Sequence, residues 1–218
     1  MRINKFIALN TKLSRRKADQ AVKDGRVVVD GKIPALNYEV QQSDKVIFDG
    51  QAINKQSSHT TLIFHKPVGV VCSHQGQGNK TIYDLLPTNL KHLNTVGRLD
   101  KNSSGIILLS NDGKLTQQLS HPSFGKSKTY EVLLDTPLSK QHLELISETG
   151  VKLNDGISRF EIKRQKNHLV VSMVEGRNRQ IRRTFEVLGY KVIGLHRISF
   201  GKYNLNNLKP GEFLKLSQ

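Results

Sequence analysis

The chain has little cysteine and no long apolar run, and both absences limit what it can be. Cys72 is its only cysteine, so no intrachain disulfide can form and a reducing compartment fits best. The eight histidines are scattered without metal-ligand spacing, so we expect no metal site. No apolar run approaches the roughly 18 residues that cross a bilayer, and Asn4, Lys5 and Asn10 interrupt the start, where a signal peptide is apolar. We therefore expect a soluble cytoplasmic protein without a membrane partner.

Acidic residues are also scarce. The 218 residues include 18 Asp and Glu against 34 Lys and Arg, which gives a formal charge of +16. The excess occurs in both halves of the chain, which favours a long contact with a polyanion such as RNA. A membrane-surface protein or a general RNA chaperone would show the same balance, so the charge indicates the partner and not the activity.

Asp100 is the clearest candidate for chemistry. Residues 95–99 predict a strand, and residues 106–109 predict a second, fully buried strand that ends at a turn at 111–113. Asp100 therefore lies on a loop between two core strands, a place where the scaffold holds functional side chains in position. An aspartate that caps a turn is the structural alternative.

A second segment, residues 175–183, is rich in arginine and leads into a helix that we predict at 179–188 with Asn178 as its N-cap. Positive charge at a helix N-terminus is repelled by the helix dipole, by about 0.3–1 kcal/mol per group. We therefore expect anions there, with a specific carboxylate or phosphate partner for Arg182. An ordinary solvated face remains a reasonable interpretation for Arg183.

The chain also shows a boundary. Residues 51–59 are polar and lack periodicity, which is typical of a linker, so we predict a small unit at 1–50 and a larger domain at 60–218. In the small unit, a helix capped by Ser14 carries basic residues opposite its apolar side: Arg15, Arg16, Lys23 and Arg26.

The larger domain predicts both strands and helices. Strands are expected at residues 61–64, 70–73, 130–134, 191–195 and 212–216 and in a hairpin over 160–174, and helices at 115–119, 140–147 and 179–188. Neighbouring hairpins imply a largely antiparallel sheet with helices packed on it, and hence the α+β class.

Four motifs occur in order along this domain. They are His65-Lys66-Pro67-Val68-Gly69-Val70, Gly97-Arg98-Leu99-Asp100 with Gly105 behind it, Lys128-Thr129-Tyr130, and residues 175–183. With them the chain resembles the pseudouridine synthases, and within these the RsuA/RluB/RluE/RluF group that modifies ribosomal RNA. The resemblance covers nearly the whole chain. It departs at Thr184, where a bulkier apolar residue is usual, and at Ser110, where threonine is frequent.

The resemblance implies a bisected, mainly antiparallel sheet with the active cleft across its middle. It also implies a reaction without cofactor, in which the uridine C1′–N1 bond breaks and C1′ joins C5. Asp100 would act as the nucleophile, or as the base that starts an elimination. Arg182 would keep that carboxylate charged, and Tyr130 would stack on the flipped base and help to remove the C5 proton. In general, however, a tyrosine at a strand start is more often a core residue.

The small unit resembles the RNA-binding domain named after ribosomal small-subunit protein four, through its pattern at residues 13–19 and 25–31. This resemblance implies RNA contact through its basic helix face, for which a solvated face is the alternative. In the larger domain, Arg98 would hold the flipped-out site open or bind a phosphate. The other expected RNA contacts are Lys128, Arg177 and Arg179.

Single-stranded or bulged ribosomal RNA is the expected partner, because a base in a loop is extruded at lower cost. Residues 175–180 look more like the members that act on large-subunit RNA, and we expect a monomer. One alternative is a catalytically silent RNA-binding or ribosome-assembly protein, which could have lost Asp100, Tyr130 or Arg182. Another is a basic nuclease, which would need paired carboxylates for a metal or a histidine pair; neither spacing occurs.

Overall fold

The structure, a computed structural model, describes residues 1–11, 13–53, 59–121 and 124–216. The chain divides into two compact units, Met1–His59 and Thr60–Gln218. The elements of the first unit are α1 (Ile3–Asn10), α2 (Arg15–Lys23), β1 (Val27–Val29), β2 (Val46–Phe48) and β3 (Gln51–Ile53).

The first unit packs its two helices and a three-stranded antiparallel sheet around one apolar cluster. The Ser14 hydroxyl accepts a hydrogen bond from the Lys17 amide at 3.2 Å, so the predicted N-cap of α2 is confirmed. Residues 51–53, which the sequence assigned to the linker, instead form β3 and pair with β2. The rest of the predicted linker at 54–58 lies outside the described residues.

The second unit contains most of the strands. Its elements are β4 (Thr61–Lys66), β5 (Asn94–Val96), β6 (Ser104–Ser110), α3 (Gly113–Ser120), β7 (Lys128–Leu134), α4 (Lys140–Glu148), β8 (Val151–Leu153), β9 (Gly156–Ser158), β10 (Glu161–Arg164), β11 (Leu169–Met173), α5 (Gln180–Val187), β12 (Val192–Phe200), β13 (Tyr203–Asn204) and β14 (Phe213–Lys215), with short 3-10 helices at Ile82–Leu85 and Thr88–Leu90.

Nine of these strands form one sheet whose main path runs β10-β11-β7-β12-β6-β4-β14. Its recorded pairings are antiparallel apart from β6 with β12, which are parallel and joined at only two positions, Ser104 with His196 and Gly105 with Arg197. The sheet is therefore nearly split along this line. The predicted α+β class with a mainly antiparallel sheet is confirmed.

Strand β6 shows why its sequence is an unbroken apolar run. Ile106 and Leu108 point into a cluster that includes Leu119 of α3, whereas Ile107 and Leu109 point into a separate cluster on the opposite face. A strand buried on both faces needs no polar alternation, and the predicted buried strand is confirmed. No helix in the described part of the chain is long and apolar enough to cross a bilayer.

Three local expectations differ from the structure. The strand predicted at 95–99 ends at Val96, because Gly97 adopts a positive φ of 72°. The strand predicted at 70–73 is wrong: Val71 makes only an isolated bridge to Thr81. Helix α5 begins after Arg179 rather than after Asn178, with Arg179 itself in the left-handed region.

Candidate active site

Asp100 lies where β12 meets β6 across the split in the sheet. The loop that carries it runs from the end of β5 to Ser104, and Gly105 then brings the chain against β12. A Cβ atom on Gly105 would lie 2.1 Å from the Arg197 carbonyl oxygen, and its φ is +111°. Only glycine permits this approach, so Gly105 fixes where the loop of Asp100 leaves the sheet.

A buried lysine holds the backbone of this loop. Lys66, at the end of β4, is fully buried, and its ammonium donates to the carbonyl oxygens of Ser103 at 2.6 Å and Pro67 at 2.9 Å. Burial lowers the pKa of Lys66 to about 8. The Gly69 amide also donates to the Lys101 carbonyl oxygen at 2.8 Å. The residues after Asp100 are therefore fixed through their carbonyl groups.

Arg182 also holds the loop. Its guanidinium donates to the carbonyl oxygens of Asn102 at 2.7 Å and Val192 at 2.8 Å, so it bridges the loop to the start of β12. It forms no ion pair with Asp100 among the described residues. Burial is the main cause that lowers the pKa of Arg182, while the charge of Asp100 opposes this shift. The structure gives Arg182 two backbone carbonyl partners, and its predicted role beside the Asp100 carboxylate stays a prediction.

Arg179 is the cation that faces Asp100. One of its guanidinium nitrogens lies 3.8 Å from an Asp100 carboxylate oxygen, and the two side chains are 47% and 35% exposed. Arg179 has φ 47° and ψ 31°, a conformation that costs a non-glycine residue about 1 kcal/mol or more. This turn aims the side chain at the cleft. The contact is long, and the Asp100 carboxylate accepts no hydrogen bond from the described residues.

Asp100 borders a cleft of about 770 Å³. Three carboxylates and six basic side chains line it, so the wall is strongly positive. The acidic residues are Asp100, Asp155 and Glu175, and the basic residues are Arg98, Lys126, Lys128, Arg177, Arg179 and Arg197. A positive cleft with one loosely paired carboxylate is suited to a polyanionic substrate and to attack by that carboxylate.

Comparison with known proteins decides the family. Residues 60–187 match the family model described as RNA pseudouridylate synthase, and residues 1–46 match the S4 domain. The chain belongs to the RNA pseudouridylate synthase family. The resemblance drawn from the four motifs is confirmed, and the family's enzymes are isomerases.

Full-length relatives support this assignment. The chain is 35% identical to ribosomal small subunit pseudouridine synthase A of Pasteurella multocida, over 100% of this chain and 96% of the relative. It is 33% identical to ribosomal large subunit pseudouridine synthase B of Bacillus subtilis, over 99% and 92%. A crystal structure of a pseudouridylate synthase matches with a TM-score of 0.71 and 29% identity, over 100% of this chain and 96% of that one.

Tyr130 of this synthase borders the cleft from β7. Its side chain is 8% exposed and belongs to the apolar cluster beneath α5, so it is a core residue that also lines the cleft. In the sheet it pairs with Arg197 of β12 on one side and Val171 of β11 on the other. Because Arg197 in turn pairs with Gly105 of β6, adjacent strands set the position of Tyr130 relative to the Asp100 loop.

Two cations predicted to contact RNA are engaged within the synthase. The Lys128 ammonium donates to the carbonyl oxygens of Val174 at 2.9 Å and Lys126 at 3.1 Å, and burial followed by the charge of Arg197 lowers its pKa. Arg177 donates to the Asp155 carboxylate at 3.1 Å and to the Glu175 carboxylate at 3.1 Å. Both residues border the cleft, but their charged groups are already bonded to other residues of the cleft wall.

Asp155 is a residue of the cleft that the sequence did not single out. Both of its carboxylate oxygens accept hydrogen bonds from Arg183, at 3.0 and 2.8 Å, and this bonding lowers the Asp155 pKa. Arg183 is therefore a paired residue, not part of a solvated face. Asp155 lies between β8 and β9, two three-residue strands that are too short to leave a clear sequence pattern.

Arg197 and Arg98 have opposite surroundings. Arg197 is 2% exposed. Its Nε donates to the Ile106 carbonyl oxygen at 2.9 Å. One of its terminal nitrogens has no hydrogen-bond partner among the described residues. The only sequence signal for it is a charged residue within an apolar strand. Arg98 is exposed on the cleft wall and makes no ion pair in the described part of the chain.

The basic residues of the S4-like unit do not form one uniform surface. Arg15, Arg16 and Lys23 are exposed on α2. Arg26 is instead paired with Asp49, with nitrogen–oxygen distances of 2.7 and 2.5 Å, and stacks on Phe48. Three of the four predicted contacts thus have no carboxylate partner in the part of the chain that the structure describes, whereas the fourth stabilises the unit itself. Across the described ranges, no cluster of three or more His, Cys, Asp or Glu could hold a metal ion.

Proposed function

We propose that this synthase converts a uridine of ribosomal RNA to pseudouridine, with Asp100 as the nucleophile. The observation that carries the proposal is the state of the Asp100 carboxylate: its loop is fixed through backbone groups, whereas its oxygens face the cleft with one cation at 3.8 Å. The ribosomal substrates named for the two relatives support the choice of RNA.

In the proposed reaction, Asp100 attacks the ribose C1′ of a flipped uridine as the C1′–N1 bond breaks. The uracil turns, C5 bonds to C1′, and the carboxylate is released. The C5 proton then leaves with the help of Tyr130, and N1 takes up a proton, so that product and substrate have the same atoms. Arg182 and Lys66 act as positioning residues, since they hold the loop and not the substrate. No oxidant or energy source enters this balance.

We propose large-subunit RNA as the substrate, on the likeness of residues 175–180 to the members that act on it. Relatives named for the small and the large subunit have similar identities of 35% and 33%, so overall identity does not decide between them. The N-terminal unit would bind the RNA backbone through Arg15, Arg16 and Lys23, which the structure leaves exposed on one helix.

The test uses the whole protein with transcripts of both ribosomal RNAs that carry tritium at C5 of uridine. We expect tritium release from the large-subunit transcript, and a matching pseudouridine that disappears from the ribosomal RNA of a strain lacking the protein. Release from the small-subunit transcript alone would contradict the substrate choice. Tight binding of either RNA without release would favour the silent RNA-binding alternative.

A further inference from the structure

Two exposed apolar side chains stand on the rim of the catalytic cleft. Ile157 of β9 is 63% exposed and Val174, after β11, is 53% exposed. Both border the cleft that contains Asp100. The other exposed large apolar residues in the described part of the chain lie outside it. A single exposed apolar residue needs no explanation, but these two share a cleft with the reacting group.

Ile157 is held rigidly. Arg177 donates to the Ile157 carbonyl oxygen at 2.8 Å and to the Asp155 carbonyl oxygen at 2.9 Å, while Arg183 binds the Asp155 carboxylate through both oxygens. The Ile157 side chain also fills the space beside Gly150, where a Cβ atom would lie 2.5 Å from the Ile157 Cγ2. Two arginines and one close contact therefore fix this short hairpin in place.

Val174, which also lines the cleft, is held in a similar way. Its carbonyl oxygen accepts a hydrogen bond from the Lys128 ammonium at 2.9 Å, and Lys128 is anchored in β7 two residues before Tyr130. In both residues a cation binds the backbone carbonyl group. The backbone is therefore fixed, and it sets the direction of the apolar side chain.

The charge around these side chains indicates what they contact. Arg98 and Lys126 line the same cleft and have no ion-pair partner in the described ranges. Apolar groups beside unpaired cations match the two parts of a nucleotide, the face of a base and its phosphate. When a nucleotide is flipped out, its neighbours lose a stacking partner. Isoleucine is one of the apolar side chains that other proteins insert between base steps of DNA.

We propose that Ile157, together with Val174, forms an apolar rim that packs against the RNA bases next to the target uridine and occupies space left by its extrusion. This inference rests on the proposed function, since it needs a flipped uridine in the cleft. The rim acts on binding and extrusion, and not on the bond-breaking step at Asp100.

The experiment compares Ile157→Ser, Val174→Ser and the double variant with Ile193→Ser. Ile193 is a matched control, because it has the same side chain, is 62% exposed and lies outside the cleft. RNA affinity and single-turnover tritium release are measured on both ribosomal transcripts. We expect kcat/KM to fall about tenfold for Ile157→Ser and further for the double variant. Ile157→Leu should stay within about threefold of wild type, and the control should match wild type.

Each result decides the matter. If the rim variants bind and react like Ile193→Ser while the wild type is active, the rim is wrong and the proposed function stands. If the wild type releases no tritium from either transcript, the proposed function fails, and the rim fails with it because it needs a flipped uridine in the cleft. A failure of the rim alone is distinct, since the wild type then stays active while the rim variants match Ile193→Ser. 2-Aminopurine placed next to the target uridine provides a separate reading of extrusion, because its fluorescence rises when the stacked neighbour leaves. This rise should be smaller in the rim variants alone.

Discussion

The carboxylates of Asp100 and Asp155 border the same cleft and are similarly exposed, at 35% and 42%, but the protein holds them in opposite ways. Arg183 binds both oxygens of Asp155, and Arg177 adds a third contact. At Asp100, the backbone is held, and within the described ranges the carboxylate forms one ion pair, with Arg179 at 3.8 Å. A carboxylate whose lone pairs are already bonded is a poor nucleophile, so the looser of the two is the one suited to react.

The comparison also separates two kinds of positioning. The hairpin between β8 and β9 is fixed through the side chain of its aspartate as well as through backbone carbonyl groups. The Asp100 loop is fixed through carbonyl groups that Lys66 and Arg182 bind. Contacts to the carbonyl groups fix the position of the Asp100 loop and leave the Asp100 carboxylate free to react. Replacing the residues that hold the loop should therefore lower activity even though they do not touch the carboxylate.

Replacing Arg182 should give the largest loss among these positioning residues. A lysine at this position cannot bridge the carbonyl groups of Asn102 and Val192 at once, because it lacks the planar fork of arginine. For Arg182→Lys we expect turnover of saturated enzyme to fall about 100-fold, as displaced reacting groups typically cause, with RNA affinity little changed. Single-turnover tritium release and filter binding measure the two quantities.

The control for this variant is Arg183→Lys, one residue further along the same helix, which weakens the grip on Asp155 instead. It should lose much less activity. An unchanged rate for Arg182→Lys would show that the bridge to the loop has no catalytic role, and would leave Arg182 with a structural role or an ordinary RNA contact.

Removing the facing cation should have a smaller effect. Arg179→Gln deletes the charge 3.8 Å from Asp100 and leaves the loop contacts of Lys66 and Arg182 intact. We expect the single-turnover rate to fall about tenfold, and Arg179→Lys to recover part of it, because a partly exposed ion pair at this distance is weak. A loss as large as that of Arg182→Lys would mean that Asp100 depends on its ion pair more than on its loop.

Lys66 should make the free energy of unfolding depend on pH. Burial lowers its pKa in the folded protein to about 8 from a usual 10.5. Between these values the unfolded chain holds a proton that the folded chain has released, so the free energy of unfolding should rise with pH, by roughly 1 kcal/mol per unit. The rise should be smaller in Lys66→Met than in the wild type, whereas Lys114→Met, at an exposed site on α3, should keep it. Denaturant unfolding at several pH values tests this, and identical slopes in all three proteins would contradict it.

Charges in the N-terminal unit should leave the turnover of saturated enzyme unchanged. Changing Arg15, Arg16 and Lys23 to glutamine should weaken RNA binding and reduce the slope of log affinity against log salt by close to one unit per lost phosphate contact. A matched triple change of exposed residues in the other unit, at Lys140, Lys163 and Lys166, should alter the slope less. Equal slopes for the two triple variants would show that the basic face of α2 is solvated and not an RNA contact.

The sequence predicts the strongly patterned elements well. The apolar run at 106–109 could only be a strand buried on both faces, and the hairpin predicted over 160–174 is present as β10 and β11. The strand predicted at 70–73 is wrong because the Val71 backbone bonds to Lys80 and Ile82 instead of entering the sheet. The short hairpin of β8 and β9 was missed because three-residue strands leave little periodicity to detect.

The site was predicted in its residues more than in its contacts. Asp100 and Tyr130 border one cleft. Arg179 lies 3.8 Å from the Asp100 carboxylate, whereas Arg182 donates to backbone carbonyl groups. Arg179 adopts the left-handed conformation, and α5 begins one residue later than the sequence predicts. No spacing rule reveals such a turn, because arginine rarely adopts it.

The most direct test of the central claim measures Asp100→Asn beside Asp155→Asn in one single-turnover assay of tritium release from ribosomal RNA. Both changes remove a charge while nearly preserving shape, and circular dichroism and RNA binding would show that both variants fold. We predict that Asp100→Asn loses activity by at least about a thousandfold, while Asp155→Asn stays within about tenfold of the wild type. If Asp100→Asn remains within tenfold of the wild type, or if Asp155→Asn loses as much as Asp100→Asn, the account of the looser carboxylate as the reacting group is wrong.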